Sequence, residues 1–293
     1  MTIAKRKIIL AIVLFSALFL FLNFFNSENK EEKNETELLT EEVKTPAFEN
    51  LKLEAKSAYV FDVIQDKPLF EFNADAQLPL ASLTKLMTAV VAKENIPEWM
   101  LIDINNEAIK EVGDNGFLVG EKWRIDKLID AMLISSSNDA ATAIALSNDN
   151  FISLMNEKSS RLNLVQTYFL NPTGLDSNGQ IAGSYGSAKD IAMLMNYLIK
   201  NFPLLLEATS YEEIEINNRK FKNTDKLIGE IPGVVASKTG FSDLAGGNLA
   251  VVFDIGLQYP IIIVVLGSTE EGRFEDVKNL YNESVKFLID TVY

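Results

Sequence analysis

The chain has 293 residues, a formal charge of −14 at pH 7, and neither histidine nor cysteine. Lack of cysteine removes disulfide stapling, and lack of both residues removes the ordinary zinc hydrolase sites. The acidic balance, with no basic stripe or aromatic-basic alternation, argues against a nucleic-acid partner.

At the N-terminus Lys5, Arg6 and Lys7 precede an apolar run over residues 8–25, interrupted only by Ser16 and Asn23. As a helix this run would be roughly 27 Å long, about the thickness of a bilayer's hydrocarbon. Residues 1–26 therefore read as an N-terminal membrane anchor, a transmembrane helix. A cleaved signal peptide is the alternative, but the segment after the run has no small-x-small cleavage pattern. The basic cluster lies before the run and acids dominate after it. This predicts a single-pass protein of the cytoplasmic membrane, its body on the extracytoplasmic side. Residues 27–50 are polar, charged and without apolar periodicity, the composition of an acidic, solvated linker. Residues 51–293 remain as one folded domain, long enough to bury a core without covalent help.

Within that domain residues 57–64 alternate like a strand, Gln65-Asp66-Lys67-Pro68 makes a turn, and residues 69–72 resume, which predicts a hairpin. Residues 83–91 have the spacing of a buried helix with Ser82 near its start. Two helices follow over residues 125–134 and 138–146, broken at Ser135-Ser136-Ser137, and two amphipathic helices over 151–162 and 188–199. Asn171-Pro172-Thr173-Gly174 is a turn leading into a Gly-rich loop. Residues 213–221, 234–238, 248–254 and 259–266 are strand-like, and a closing helix spans about 275–290. This order predicts an α+β fold, a mostly antiparallel sheet packed by helices. The chain ends at the closing helix, so no second domain is expected after it.

Ser82-Leu83-Thr84-Lys85 is the first candidate site. A serine becomes a nucleophile only when a neighbour accepts its proton, and histidine is absent. A lysine at i+3 on the same helical face can take that part. The pattern alone is weak, since Ser27-Glu28-Asn29-Lys30 in the polar linker matches it too. Ser82 could equally be a simple helix N-cap. Ser136-Ser137-Asn138 offers hydroxyl and carboxamide groups from one tight turn, or a Ser/Asn cap. Lys238-Thr239-Gly240 closes a strand-like run, where Gly240 would let a ligand approach the backbone, or where the strand simply enters a turn. No EF-hand spacing is present; neither a metal nor a cofactor is expected.

S-x-x-K, S-x-N and K-T-G, in that order, are the signature set of penicillin-binding proteins and class A β-lactamases. Beyond the trio, residues 81–89, Ser136-Ser137-Asn138-Asp139-Ala140-Ala141, Asn171-Pro172-Thr173-Gly174-Leu175 and Ala245-Gly246-Gly247-Asn248-Leu249 carry a wider likeness. Over residues 55–293 the chain resembles low-molecular-weight penicillin-binding proteins of the D-alanyl-D-alanine carboxypeptidase group. That resemblance implies a β-lactamase/transpeptidase-like fold, a peptidoglycan stem-peptide substrate and β-lactams as inhibitors. It implies Ser82 as nucleophile, Lys85 as base with Lys238 keeping its amine neutral, and Ser136 as proton relay. It further implies that Asn138 holds the substrate amide, that Thr239 with Lys238, beside Gly240, binds the terminal carboxylate, and that the Ser82 and Phe241 N–H groups meet the oxyanion.

The likeness has gaps. Many members carry another residue, often histidine, where this chain has Phe241, so only the backbone can act there. Many also continue into a C-terminal β-domain and terminal anchor, which this chain is expected to replace with its N-terminal helix. A class A β-lactamase needs a Glu-x-x-Leu-Asn element, and Glu157 through Leu162-Asn163 has one residue too many. A DD-endopeptidase would use the same site chemistry, and a catalytically inactive wall-binding module could keep the trio. Arg273 reads as a surface arginine paired with Glu271 or Glu275, and Asp139 as a helix-start charge.

Overall fold

Residues 48–49, 51–110, 113, 116–256 and 258–292 are described by a computed structural model. The expected anchor and all of the expected linker except residues 48 and 49 lie outside them. Among the described residues no helix is long and apolar enough to cross a membrane.

Strands β1 (Ser57–Asp62) and β2 (Lys67–Phe72) form the expected hairpin, and β3 is the two-residue Leu78–Pro79. A 3-10 turn, Ala81–Leu83, leads into helix α1 (Thr84–Asn95). Strands β4 (Leu101–Asp103) and β5 (Lys122–Arg124) pair ahead of helices α2 (Ile125–Ser135), α3 (Asn138–Ala145) and α4 (Phe151–Arg161). Short strands β6 (Tyr168–Phe169) and β7 (Ser184–Gly186) bracket the loop that carries Asn171, and α5 (Ala188–Asn201) follows. A 3-10 turn over Glu207–Ser210 precedes β8 (Glu213–Ile216) and β9 (Arg219–Lys222). The chain then forms β10 (Val234–Ser242), β11 (Gly246–Asp254), β12 (Pro260–Ser268) and α6 (Gly272–Val292).

The main sheet has the order β10-β11-β12-β1-β2, with every neighbour antiparallel. Strands β1, β11 and β12 are buried on both faces, and successive residues point alternately to two cores. Tyr59, Phe61, Val252, Ile262 and Val264 face one core, shared with residues of α1 to α5. Ala58, Val60, Val251, Phe253, Ile261 and Ile263 face the other, closed by Phe274, Val277, Leu280 and Leu288 of α6. All residues from Thr84 to Ala92 of α1 are buried, as its apolar spacing predicts, and Thr84, Lys85 and Thr88 are buried with them. Phe48 is also buried, its ring 5.0 Å from that of Phe70, so packing begins inside the stretch expected to be solvated linker.

Two boundaries differ from expectation. Residues 213–221 are a hairpin, not one strand: Asn217 and Asn218 have φ of 51° and 58°, the left-handed pair that a tight hairpin turn demands. Strand β10 does not stop at Lys238 but pairs through Ser242↔Gly246, which places Lys238-Thr239-Gly240 in mid-strand. Gly240 there admits a close neighbour rather than breaking the strand.

Candidate active site

The nucleophile candidate sits in the 3-10 turn just before α1, and its hydroxyl is not spent on capping. The N-cap position of α1 falls on Leu83, with no side-chain cap bond. Ala81, immediately before, holds φ of 47°, a strained conformation for a residue with a Cβ, and of the kind that clusters at functional sites. Three contacts hold this turn. Thr84 Oγ1 donates to Ala81 O at 2.6 Å, Leu80 N donates to Ser184 O at 3.2 Å, and Asn248 Nδ2 on β11 donates to Pro79 O at 2.9 Å. Gly240 lies against it: a Cβ there would fall 2.8 Å from Leu80 O and 3.3 Å from Ser82 N.

One turn on, Lys85 is fully buried. Its Nζ lies 2.8 Å from Ser82 Oγ, 2.7 Å from Asn138 Oδ1 and 2.9 Å from Thr173 O. Three sequence motifs thus converge on one amine. The Thr173 carbonyl was not foreseen. It is presented by a loop folded around Asn171, whose Oδ1 accepts from Thr173 N, Thr173 Oγ1 and Gly174 N while Nδ2 donates to Leu175 O. Gly174, at φ of 80°, lets the loop press on the nucleophile turn, since a Cβ would overlap Ala81 O at 1.8 Å.

The corner between α2 and α3 separates its two serines. Ser137 caps α3 by accepting from Ala140 N at 3.1 Å, so the cap reading holds for Ser137 alone. Ser136, at φ of 60°, is turned the other way, and its Oγ accepts from Lys238 Nζ at 2.9 Å. Lys238 Nζ also reaches Thr239 O at 2.9 Å. Burial is the main force lowering the Lys238 ammonium to about 7; the Arg273 guanidinium adds to it and Asp225 opposes it.

Arg273 is not the surface residue expected. It is 6% exposed at the start of α6, and its Nη1 donates to Gly240 O at 2.7 Å, behind the K-T-G segment. Glu271 and Glu275 instead pair with Lys226 and Lys278. Asp139 stands in the first turn of α3, as expected. Phe241 is 46% exposed beside Gly240. Ser82, Ser136 and Asn138 are half-buried, and Thr239 and Gly240 are buried. Glu157 lies on α4, exposed and paired with Arg161 at 3.0 Å.

A nucleophile candidate, a buried amine 2.8 Å from it and a second lysine–serine pair form a site suited to acyl transfer through serine. Residues 41–270 match the family described as Peptidase S11, D-alanyl-D-alanine carboxypeptidase. The chain belongs to that family. The S11 relatives include the D-alanyl-D-alanine carboxypeptidase DacF of Bacillus subtilis, 31% identical over 78% of this chain and 61% of that protein. A D-alanyl-D-alanine endopeptidase of Haemophilus influenzae is 32% identical over 68% of this chain and 70% of its own length. The ampicillin-bound penicillin-binding protein D2 of Listeria monocytogenes has the same fold, with a TM-score of 0.72 and 32% identity over 80% of this chain and 98% of that one. The chain spans about three-fifths of the length of DacF.

Proposed function

We propose that this S11 family member is a serine D-alanyl-D-alanine carboxypeptidase that removes the terminal D-Ala of peptidoglycan stem peptides. The carrying observation is the environment of the Lys85 amine. Asn138 Oδ1 and Thr173 O, at 2.7 and 2.9 Å from Nζ, are carbonyl oxygens that can only accept. Nζ donates to Ser82 Oγ as well, at 2.8 Å, so an amine held there by the two carbonyls has, once unprotonated, its lone pair within reach of the serine proton. The geometry therefore supports Lys85 as the base that takes the serine proton.

In this reading Ser82 Oγ attacks the penultimate carbonyl, and the oxyanion is met by the N–H groups of Ser82 and Phe241. The start of α1 adds its positive end. The tetrahedral intermediate collapses with loss of the C–N bond. The proton that Lys85 took from Ser82 passes through the Ser136 hydroxyl, which gives up one proton and takes one back, to the nitrogen of the departing D-alanine. Water then hydrolyses the ester on Ser82. Thr239 with Lys238, beside Gly240, receives the substrate carboxylate, and Asn138 orients both Lys85 and the peptide. β-Lactams would acylate the same serine. The position of Glu157, exposed on α4, leaves it unsuited to activating a deacylating water as in a class A β-lactamase. The basic cluster and apolar run of residues 5–25 support anchorage in the cytoplasmic membrane, with the folded part outside.

Purified protein should release D-alanine from an acylated D-Ala-D-Ala peptide, and Ser82→Ala should not. Absence of release from the folded wild type would reject the reading. Cleavage of cross-linked dimers without release of terminal D-Ala would assign endopeptidase activity instead, the activity named for the Haemophilus relative.

A further inference from the structure

Thr224 belongs to none of the motifs, yet it touches two elements of the site. Its Oγ1 lies 2.5 Å from Thr239 Oγ1, and its backbone N–H donates to Ile134 O at 3.2 Å. Ile134 is in the last turn of α2, whose carbonyls lose helical partners as the chain turns at Ser136. Thr224 thus joins the corner that presents Ser136 to the strand that presents Lys238 and Thr239.

The segment carrying it is fixed on both sides. Asn223 Nδ2 donates to Thr209 O at 2.8 Å and to Tyr211 O at 2.9 Å, while Asn223 Oδ1 accepts from Asp225 N at 2.9 Å. Asp225 Oδ1 then accepts from Leu227 N at 2.9 Å. A hydroxyl on so constrained a backbone has a defined direction. Thr239 is 4% exposed, so few groups can reach its hydroxyl.

We infer that Thr224 is a positioning residue for recognition of the substrate's terminal carboxylate, acting through the Thr239 hydroxyl. The inference rests on the carboxypeptidase reading above. A carboxylate only accepts hydrogen bonds, so Thr239 must donate its single proton to it. Thr239 Oγ1 can then meet Thr224 only as acceptor, with Thr224 Oγ1 donating. The two hydroxyls form a directed relay, Thr224 to Thr239 to carboxylate, in which each bond strengthens the next. A ligand without the carboxylate gains nothing from that order.

The test compares full-length wild type, Thr224→Val and Thr224→Ser in detergent. Val keeps the shape and the backbone N–H but cannot donate; Ser keeps the donor. The probes are an acylated D-Ala-D-Ala peptide, its C-terminal amide, and a fluorescent penicillin with its carboxyl methyl ester. Thr224→Val should raise KM for the free-acid peptide by about 3- to 10-fold, the worth of one such hydrogen bond, with kcat nearly unchanged. It should slow acylation by the free-acid penicillin similarly and leave the amide and ester rates near wild type. Thr224→Ser should restore most of the loss. Equal losses on acid and ester, a fall in kcat alone, or no change would overturn the inference. Should Thr224→Val not fold, the same comparison on Thr224→Ala decides it. A wild type that neither releases D-alanine nor binds penicillin would reject the carboxypeptidase reading itself, and this inference with it.

Discussion

Lys238 shows how much of the site's behaviour is set by burial of single groups. Its ammonium is lowered to about 7 in the fold, against about 10.4 in an unfolded chain. Between those values the unfolded chain holds one more proton, so stability rises with pH. The contribution is complete above the unfolded value and is lost as pH falls toward 7. Denaturant unfolding of Lys238→Met between pH 7 and 10 should show that rise flattened by up to about 1.4 kcal/mol per pH unit. An unchanged slope would mean that Lys238 is charged in the folded site. The window closes near pH 10, where Tyr59, its phenol pushed up by burial, begins to act in the opposite sense. Ser82, Lys85 and Lys238 could be picked out from residue type and spacing because their chemistry is carried by side chains. The Thr173 carbonyl could not, since every residue has one. Arg273 misled because Glu271 and Glu275 flank it in sequence, whereas its partner Gly240 is 33 positions away.

Among the elements, the loop between β6 and β7 does more than connect. Asn171 gathers three donors onto one oxygen and so fixes the carbonyl that holds Lys85. Asn171→Ala leaves those donors and the loop without their organiser. We expect a loss of about 2–3 kcal/mol in stability, by analogy with buried groups left unpaired. Acylation should fall further than stability alone explains, measured as the second-order rate on the folded fraction. A variant with normal acylation would show that Lys85 does not need the loop. The sequence marks this loop as a turn, through Pro172 and Gly174, but says nothing of what it presses against. The Asn217-Asn218 pair is a turn signal that the single-strand reading of residues 213–221 passes over, since adjacent asparagines tolerate positive φ. The extension of β10 through Gly240 carries no such signal, because glycine ordinarily marks a strand's end or a bulge.

At the scale of the molecule, the site lies where the helical layer meets the edge of the sheet. The nucleophile turn and α1 come from the former and β10 from the latter. The strand pattern of β1 and the continuous apolar runs of β11 and β12 made the sheet readable from sequence, and in the fold each of these strands divides its apolar residues between two cores. The strands of two or three residues were not readable, being too short for any period to register. The proposed anchor has its own test: the full chain should sediment with membranes, and a chain lacking residues 1–26 should not. Recovery of the full chain in the soluble fraction would reject anchorage without touching the chemistry. The central claim is that Ser82 forms an acyl-enzyme with Lys85 as its base. A fluorescent penicillin added to the purified chain should leave a stable covalent label, absent from Ser82→Ala. A label that persists in Ser82→Ala, or none on the folded wild type and no turnover of a chromogenic cephalosporin, would contradict it.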